Sequence, residues 1–329
     1  MKSLENINVS NIFEAVSQSQ QARENGQEVS FSGGGTDLLQ QIKDGVITSD
    51  VLINLRTLEG SSEVSTANNE VAIGGQMTLT ELSNHADIQS RFAVLAEAAG
   101  SVATPQIRNV GTLAGNVMQR PWCWYYRNGF QCYKAGGEQC FSITGENQLN
   151  AIFGGGPSYI VHPSDTAPAL VALGAIFDVT GPDGTRSLSG ADFFVLPSLN
   201  PEVENVLEDG ELLTGVRIPT PAAGTLSTYN KITDREAWTH AVISVAAVLH
   251  MNGETCESAS IVLGGVAPIP WRVPESENLL VGRQITAELA REAGEVSVRE
   301  AVPLTKNAYK LPMVSAAIER AINSLISRA

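Results

Sequence analysis

Three of the four cysteines lie in one short stretch of the chain. Cys123, Cys132 and Cys140 follow the spacing Cys-x8-Cys-x7-Cys, whereas Cys256 lies alone far downstream. Thiolates are the ligands that soft metals and iron–sulfur clusters prefer. The spacing is too wide for the paired knuckles of zinc ribbons, and no histidine lies between the cysteines. The stretch therefore indicates an iron–sulfur cluster, and free thiols in a reducing compartment are the alternative.

Two glycine-rich turns are the second feature with chemical meaning. Residues 32–37 read SGGGTD and residues 109–116 read NVGTLAGN. Consecutive backbone N–H groups at such turns approach a phosphate closely, and threonine hydroxyls add donors. The first turn does not match the G-x-G-x-x-G fingerprint or a P-loop, and alone it is equally well a plain structural turn. Together they predict a diphosphate that is held from two sides.

Charged residues near these turns are candidates to bind the rest of such a ligand. Arg108 and Arg120 flank the second turn and are placed to neutralise phosphate charge. Asp37 and Asp165 are candidates to accept hydrogen bonds from sugar or ribityl hydroxyls. For both aspartates the alternative is helix capping, and Ser164 or Asp165 would be a good N-cap for the helix that follows them.

A further polar cluster lies in the last third of the chain and consists of Lys231, Asp234, Arg235 and His240. A lysine near a flavin ring stabilises the anionic reduced form electrostatically. A solvated surface cluster is the alternative. No G-x-S-x-G motif and no H-E-x-x-H helix is present, so a serine hydrolase and a zincin are not indicated.

The elements that must position these residues follow from local patterns. Strand, glycine turn and helix succeed one another twice, over residues 28–45 and 71–85, which is typical of a mixed α and β chain. A helix is expected over residues 10–25 with Ser10 as its N-cap. After residue 225 we expect two or three antiparallel strands with a turn at 251–254, and then helices near 286–293, 296–301 and 312–327.

The length, composition and net charge of the chain indicate its general class. The chain has 329 residues, of which 43% are hydrophobic and 17% charged, which predicts a folded protein of more than one domain. The net charge of −14 argues against nucleic acid as a partner. We expect no membrane insertion, because no apolar run reaches the length of a membrane span, and the first residues do not read as a secretion signal.

The motifs in combination resemble one known family. GGGTDLL, IRNVGTLAGN, HPSDTAPALVALGA, GELLTGVRIP and LGGVAPIPWR together are similar to the FAD-binding medium subunit of the molybdenum hydroxylases, and the resemblance covers nearly the whole chain. This family includes xanthine dehydrogenase, aldehyde oxidoreductase and carbon monoxide dehydrogenase. The cysteine stretch resembles a subgroup that includes periplasmic aldehyde oxidoreductase flavoproteins and 4-hydroxybenzoyl-CoA reductase beta subunits, in which this insertion binds a [4Fe–4S] cluster.

The resemblance implies an α+β protein with two domains. A two-lobed FAD-binding domain of the PCMH type is expected over residues 1–224, with lobes of about 1–58 and 59–224 and a cysteine-bearing insertion over about 121–158. A C-terminal domain of the carbon monoxide dehydrogenase flavoprotein type, a sheet with helices, is expected over 225–329. The expected FAD-binding residues are Ser32, Gly33, Gly34, Gly35, Thr36, Asp37, Arg108, Asn109, Gly111, Thr112, Ala114, Gly115, Asn116, Asp165 and Lys231, the last of these near the flavin ring.

One position departs from the subgroup's pattern. Its cluster-binding members have a fourth cysteine four residues before the histidine of the HPSD motif, and Ser158 occupies that position here. A serine alkoxide is a poorer ligand for a soft metal than a thiolate. The alternatives are a [4Fe–4S] cluster with Ser158 as ligand, a [3Fe–4S] cluster on Cys123, Cys132 and Cys140, or a loop without metal. We expect that a cluster is retained.

The resemblance also implies a function. The chain is expected to be an FAD-dependent oxidoreductase subunit that receives electrons from [2Fe–2S] centres in a small partner, while a large molybdopterin-binding partner oxidises the organic substrate. A free-standing flavin oxidoreductase with its own substrate is one alternative, and a scaffold without cofactor is another. The location is expected to be cytoplasmic, or periplasmic by export together with a partner that carries a signal.

Overall fold

The computed structural model describes residues 3–236 and 239–327, which contain the following elements. The strands are β1 (Glu5–Asn8), β2 (Val29–Ser32), β3 (Val51–Asn54), β4 (Val64–Ala67), β5 (Glu70–Gly74), β6 (Ile176–Gly181), β7 (Gly184–Ser189), β8 (Leu212–Pro219), β9 (Thr225–Ile232), β10 (Ile243–Asn252), β11 (Thr255–Gly264) and β12 (Trp271–Arg272). The helices are α1 (Ile12–Glu24), α2 (Leu38–Lys43), α3 (Leu79–Asn84), α4 (Ala86–Arg91), α5 (Ala93–Gly100), α6 (Pro105–Arg108), α7 (Leu113–Val117), α8 (Trp124–Arg127), α9 (Thr166–Ala172), α10 (Gly190–Phe193), α11 (Pro274–Leu280), α12 (Ala287–Val296) and α13 (Lys310–Ile326). This mixture confirms the predicted α+β class.

The first sheet is small and parallel, with the strand order β1-β3-β2. Its central strand β3 is buried, and α1 packs on it through Ala15 and Val16. The expected N-cap of α1, Ser10, is wrong. The cap is Asn11, whose side-chain oxygen accepts a hydrogen bond from the Glu14 N–H, because the Ser10 hydroxyl instead donates to the Glu14 carboxylate.

The second sheet is antiparallel and has the order β4-β5-β8-β6-β7. Strand β8 is the last of the five in the chain but lies between β5 and β6, so the segment from α3 to α9 separates β5 from the strands that complete this sheet. Apolar residues of helices α3, α4, α5 and α9 share one hydrophobic core with this sheet. The resulting core also takes in Tyr229, Ala246 and Val262 from the third sheet, so the second and third sheets share apolar packing.

The third sheet is antiparallel, with the order β12-β11-β10-β9, and helices α11 to α13 pack against it. The predicted hairpin turn is present between Asn252 and Thr255. The predicted helix at 296–301 is wrong, because α12 ends at Val296 and the hydroxyl of Ser297 bonds back to the carbonyl of Gly294. Helix α11, which begins with Pro274, was not predicted. No helix within the described ranges combines the length and apolarity that crossing a bilayer requires.

The cysteine insertion, residues 121–158, is largely irregular. It contains only α8 and a 3₁₀ turn at Tyr133–Ala135. An aromatic cluster of Trp124, Tyr125, Phe130 and Phe141 holds its two halves together, with ring centroids 5.0 to 6.1 Å apart. Just before its end, Ile152 and Phe153 enter the core of the C-terminal part.

Candidate functional site

The main cavity of the described chain has a volume of about 1150 Å³. Its walls include residues 33–37 after β2, 111–116 around the start of α7, 161–165 before α9 and 239–242 before β10. Pockets for small ligands usually measure roughly 300–1,000 Å³. The cleft therefore has room for a ligand as large as a dinucleotide, and it lies where all three sheets meet.

The two glycine turns are in direct contact on one wall of this cleft. A Cβ atom on Gly34 would lie 2.1 Å from the carbonyl oxygen of Val110 and 2.9 Å from the Cα of Gly111. No side chain fits at position 34, because those neighbours are backbone atoms. Gly35 has a φ of +70°, in the left-handed region that favours glycine. The sequence thus requires glycines here for both packing and conformation.

The backbone N–H groups of the two turns are used differently. Among the described residues, no hydrogen bond uses the N–H groups of Gly33, Gly34, Gly35 or Thr36. In the second turn, by contrast, the N–H of Gly111 donates to Ile107, that of Ala114 to Gly75, and that of Gly115 to the Thr112 hydroxyl.

The two turns therefore have different roles. Four successive N–H donors in the cleft wall are a typical anion-binding arrangement. The first turn therefore offers the donors, and the second turn supports it.

Asn116 joins the second turn to the loop before α9. Its side-chain oxygen accepts hydrogen bonds from the hydroxyls of Ser164 and Thr166, both at 2.7 Å. The Ser164 hydroxyl oxygen in turn accepts from the N–H of Ala167, so Ser164 caps α9. Asp165 makes no capping bond. Because these three polar side chains are buried, their mutual hydrogen bonds fix this wall of the cleft.

Asp165 and Lys231 form an ion pair instead of acting separately. The Nζ of Lys231 lies 2.6 Å from Oδ2 of Asp165, and the Tyr229 hydroxyl donates to Oδ1 at 2.7 Å. Burial raises the pKa of Asp165, and the Lys231 ammonium opposes that shift. Burial and the adjacent carboxylate raise the pKa of Tyr229 as well. Asp165 lines the cleft, whereas Lys231 stands behind it and also donates to the carbonyl of Ser101.

The structure places most of the predicted cofactor-binding residues on the cleft walls. Those that line it are Gly33, Gly34, Gly35, Thr36, Asp37, Gly111, Thr112, Ala114, Gly115, Asn116 and Asp165. Four lie outside its walls, namely Ser32, Arg108, Asn109 and Lys231. Ser32 ends β2. Arg108 donates to the carbonyl of Val102, and Asn109 accepts from the Thr80 hydroxyl, so both hold α6 against its neighbours.

Two histidines, His162 and His240, line the cleft. Burial, with the nearby Lys134 ammonium, lowers the pKa of His162 to about 3. His240, by contrast, is exposed at the cleft edge. The centre of the His240 ring lies 5.1 Å from that of the Trp122 ring. Trp122 belongs to the insertion, so the insertion reaches the edge of the cleft at this contact.

The three cysteines of the insertion are free thiols in the structure. Within residues 3–236 and 239–327, no group of three or more histidine, cysteine, aspartate or glutamate side chains is arranged to hold a metal ion. Burial raises the pKa of Cys123, and Cys132 and Cys140 add to that shift. Ser158 is buried, and the Cys140 sulfur is hydrogen-bonded to Ser142 at 2.9 Å. The residues present do not show the geometry of a cluster site.

Several buried polar side chains in and around the cleft were not predicted from the sequence. Gln76, which lines the cleft, has a buried side-chain oxygen without a hydrogen-bond partner among the described residues, beside Gly33. Arg127 and Lys134 are buried in the insertion and pair with Asp37 and with Glu204 respectively. Their local sequence is that of ordinary surface residues, so no pattern identified them.

Comparison with known proteins agrees with this geometry. Residues 7–221 match the family described as FAD binding domain in molybdopterin dehydrogenase, and residues 227–325 match the CO dehydrogenase flavoprotein C-terminal domain. The chain belongs to this family. Its membership confirms the family resemblance seen in the sequence and shows an FAD-binding oxidoreductase subunit.

Individual relatives extend over most of this flavoprotein. It is 33% identical over 285 residues to an aldehyde oxidoreductase FAD-binding subunit from Escherichia coli, covering 85% of this chain and 86% of the relative. It is 26% identical over 311 residues to a carbon monoxide dehydrogenase medium chain from Afipia carboxidovorans, covering 92% and 91%. A solved carbon monoxide dehydrogenase from Hydrogenophaga pseudoflava shares the fold, with a TM-score of 0.78 at 24% identity over 100% of this chain and 99% of that one.

Proposed function

We propose that this flavoprotein carries FAD in the cleft and passes electrons within a molybdenum-containing hydroxylase or dehydrogenase complex. Electrons would come from [2Fe–2S] centres of a small subunit, after a molybdopterin-binding large subunit has oxidised an aldehyde- or xanthine-type substrate. The names of relatives support this proposal, because they are FAD-binding subunits or medium chains of an aldehyde oxidoreductase, a carbon monoxide dehydrogenase and a xanthine dehydrogenase. When bound, FAD supplies the ability to accept electrons and to release them to another acceptor.

The single observation that carries the proposal is the wall made by the two glycine turns. The first turn presents four N–H groups that have no acceptor in the part of the chain that the structure describes, and a Cβ on Gly34 would overlap the backbone of the second turn. Residues 33–36 and Thr112 would hold the diphosphate. Asn116 and Asp165 would lie along the sugar and ribityl part. Ser32, Arg108, Asn109 and Lys231 would act from behind the wall by keeping its elements in place.

We further propose that the insertion holds an iron–sulfur cluster, with Cys123, Cys132 and Cys140 as its thiolate ligands. The family membership supports FAD and does not extend to a cluster in this chain. No electron-transfer step in the proposed function depends on one. Anaerobic purification of the wild type and of the Ser158→Cys variant, with iron and acid-labile sulfide measured per FAD, tests it. Iron and sulfide in the wild type support a cluster, and their absence from both proteins refutes it.

The proposed function is tested on protein purified from its native host. We expect flavin absorption bands, about one FAD per chain, and a copurifying assembly that contains molybdenum and iron. A chain that turns over an organic substrate by itself would support a free-standing flavin oxidoreductase instead. A chain without flavin bands would support a scaffold. Fractionation of the same cells into cytoplasm and periplasm would test the proposed locations.

A further inference from the structure

Arg127 connects the cysteine insertion to the cleft. Its side chain is only 7% exposed. Its Nη2 donates to Oδ1 of Asp37 at 2.9 Å and to the carbonyl of Arg120 at 2.8 Å, and its Nε donates to the carbonyl of Pro121. The guanidinium also lies 4.4 Å from the centre of the Trp122 ring. A planar arginine fork fixed by three oxygens and a ring has one orientation, so it defines where the Asp37 carboxylate must lie.

Donors of the protein occupy most of the acceptor sites of the Asp37 carboxylate. Besides Arg127, the N–H of Arg120 and the side chain of Gln41 donate to its Oδ2, at 3.3 and 2.9 Å. A carboxylate has about four acceptor sites. Three are taken, and two of the donors come from residues 120–127, at or inside the insertion. Asp37 is therefore suited to anchor the chain rather than to bind several hydroxyls of a ligand.

This anchor lies directly after the glycine turn that offers the free donors. Residues 33–36 precede Asp37, and α2 follows it without a side-chain cap from Asp37. On the other side, Gly34 rests on Val110 and Gly111. The turn is thus held at its start by the second turn and at its end by Arg127. Without the contact to Arg127, the four N–H donors would be free to move away from the positions that a bound anion requires.

We propose that Arg127 is a positioning residue for FAD, and that the insertion and FAD binding are coupled through the Arg127–Asp37 contact. The insertion is then part of the cofactor site whether or not it holds a metal. This inference rests on the proposed function, because it presumes that FAD is the ligand of the cleft. Coupling of this kind is reciprocal, so bound FAD must also order the insertion.

A double-mutant cycle on the full chain measures the coupling. FAD is removed from the wild type, Arg127→Met, Asp37→Asn and the double variant, and Kd is measured by flavin fluorescence on folded protein. We expect each single variant to bind FAD roughly 10- to 100-fold more weakly, and the double variant to bind no more weakly than the weaker single one. Arg127→Lys retains the positive charge and one donor nitrogen, so its Kd for FAD should lie between those of the wild type and Arg127→Met. Additive losses, or wild-type affinity in Arg127→Met, would overturn the proposal.

Lys134→Met is the matched control, because it breaks the other buried ion pair of the insertion, between Lys134 and Glu204 at 2.7 Å. It should lower stability and leave the Kd for FAD within about twofold of the wild type. Hydrogen exchange over residues 128–140, which do not line the cleft, gives the reciprocal reading. FAD should slow exchange there in the wild type but not in Asp37→Asn, and equal slowing in both would contradict coupling. A wild type that binds no FAD would refute the proposed function itself.

Discussion

Lys231 and Asp165 lie 2.6 Å apart as a buried ion pair at the junction of β9 and α9, with side chains 7% and 5% exposed. Each was predicted to contact the cofactor independently. Their pairing makes Lys231 a support for the cleft wall, because its charge is compensated before any ligand binds. It also joins the C-terminal sheet to the loop that carries the HPSD motif.

The first prediction concerns this pair. Lys231→Met leaves the Asp165 carboxylate buried without its cation, and we expect the free energy of unfolding to fall by about 3–5 kcal/mol. Adding Asp165→Asn should recover much of the loss. Urea denaturation measures both. Lys306→Met, at an exposed pair with Glu146, is the control and should change stability by less than about 1 kcal/mol. Equal effects at the two lysines would contradict the argument.

The second prediction concerns the contact between the glycine turns. Gly34→Ala introduces a Cβ where the Val110 carbonyl lies, so the two turns must separate. We expect purified Gly34→Ala to carry less than about a tenth of the wild-type flavin, as read from the ratio of flavin to protein absorbance. Gly100→Ala is the control, since its Cβ would meet only Ser83 at 3.7 Å, outside the cleft. Full flavin content in Gly34→Ala would show that the turns tolerate separation.

The third prediction is a pH dependence from His162. Its pKa is about 3 in the folded state, against about 6.5 in an unfolded chain. The unfolded state therefore binds more protons between these values, and stability falls as the pH drops from about 6.5 towards 3. The slope from one histidine is at most about 1.4 kcal/mol per pH unit. His162→Asn should flatten the slope of unfolding free energy against pH over pH 4–6.5, whereas His250→Asn serves as the control. An unchanged slope in His162→Asn would refute the assignment.

The fourth prediction concerns Lys310, which is fully buried on α13. Its Nζ donates to the carbonyls of Leu149, Asn150 and Gly265, all on the cleft wall, and burial lowers its pKa to about 7. Lys310→Met should lose roughly 3 kcal/mol at pH 7, because buried carbonyls lose their donor.

The Lys310 substitution has a pH signature that separates it from a simple packing loss. In the wild type the unfolded chain binds the Lys310 proton up to about pH 10.5, whereas the folded chain releases it above about pH 7. The wild type should therefore gain stability relative to Lys310→Met as the pH rises from 7 to 10. Urea titrations of both proteins at pH 7, 8.5 and 10 test this. A constant difference would show that the ammonium is not destabilised by burial.

Much of the local structure was predictable from the sequence. The strand, glycine turn and helix around β2 and α2, and again around β5 and α3, follow from short-range patterns. Thr78 caps α3 in a capping box with Glu81, a signal that lies entirely within four residues. The helix expected near 296–301 is not present. The Ser297 hydroxyl bonds back to the carbonyl of Gly294, and the apolar spacing of the sequence does not reveal this hydrogen bond.

The candidate site was predictable as far as its backbone is concerned. Three consecutive glycines before a helix predict a turn, and the structure gives one of them a positive φ and another a close backbone contact. The side-chain roles were not predictable to the same degree. From the sequence, Asp37 is a candidate to bind hydroxyl groups or to cap a helix. In the structure its role depends on Arg127, which lies far along the chain.

The sequence by itself determined the family, the α+β class and the two turns, because each depends on residues that are neighbours in the chain. Only the tertiary structure decided that Arg127 meets Asp37 across 90 residues and that Lys231 meets Asp165 across 66. The reason is physical. A charged side chain fixes which kind of partner it requires, but the folded chain fixes which residue is near enough to supply it, and burial then makes that pairing obligatory.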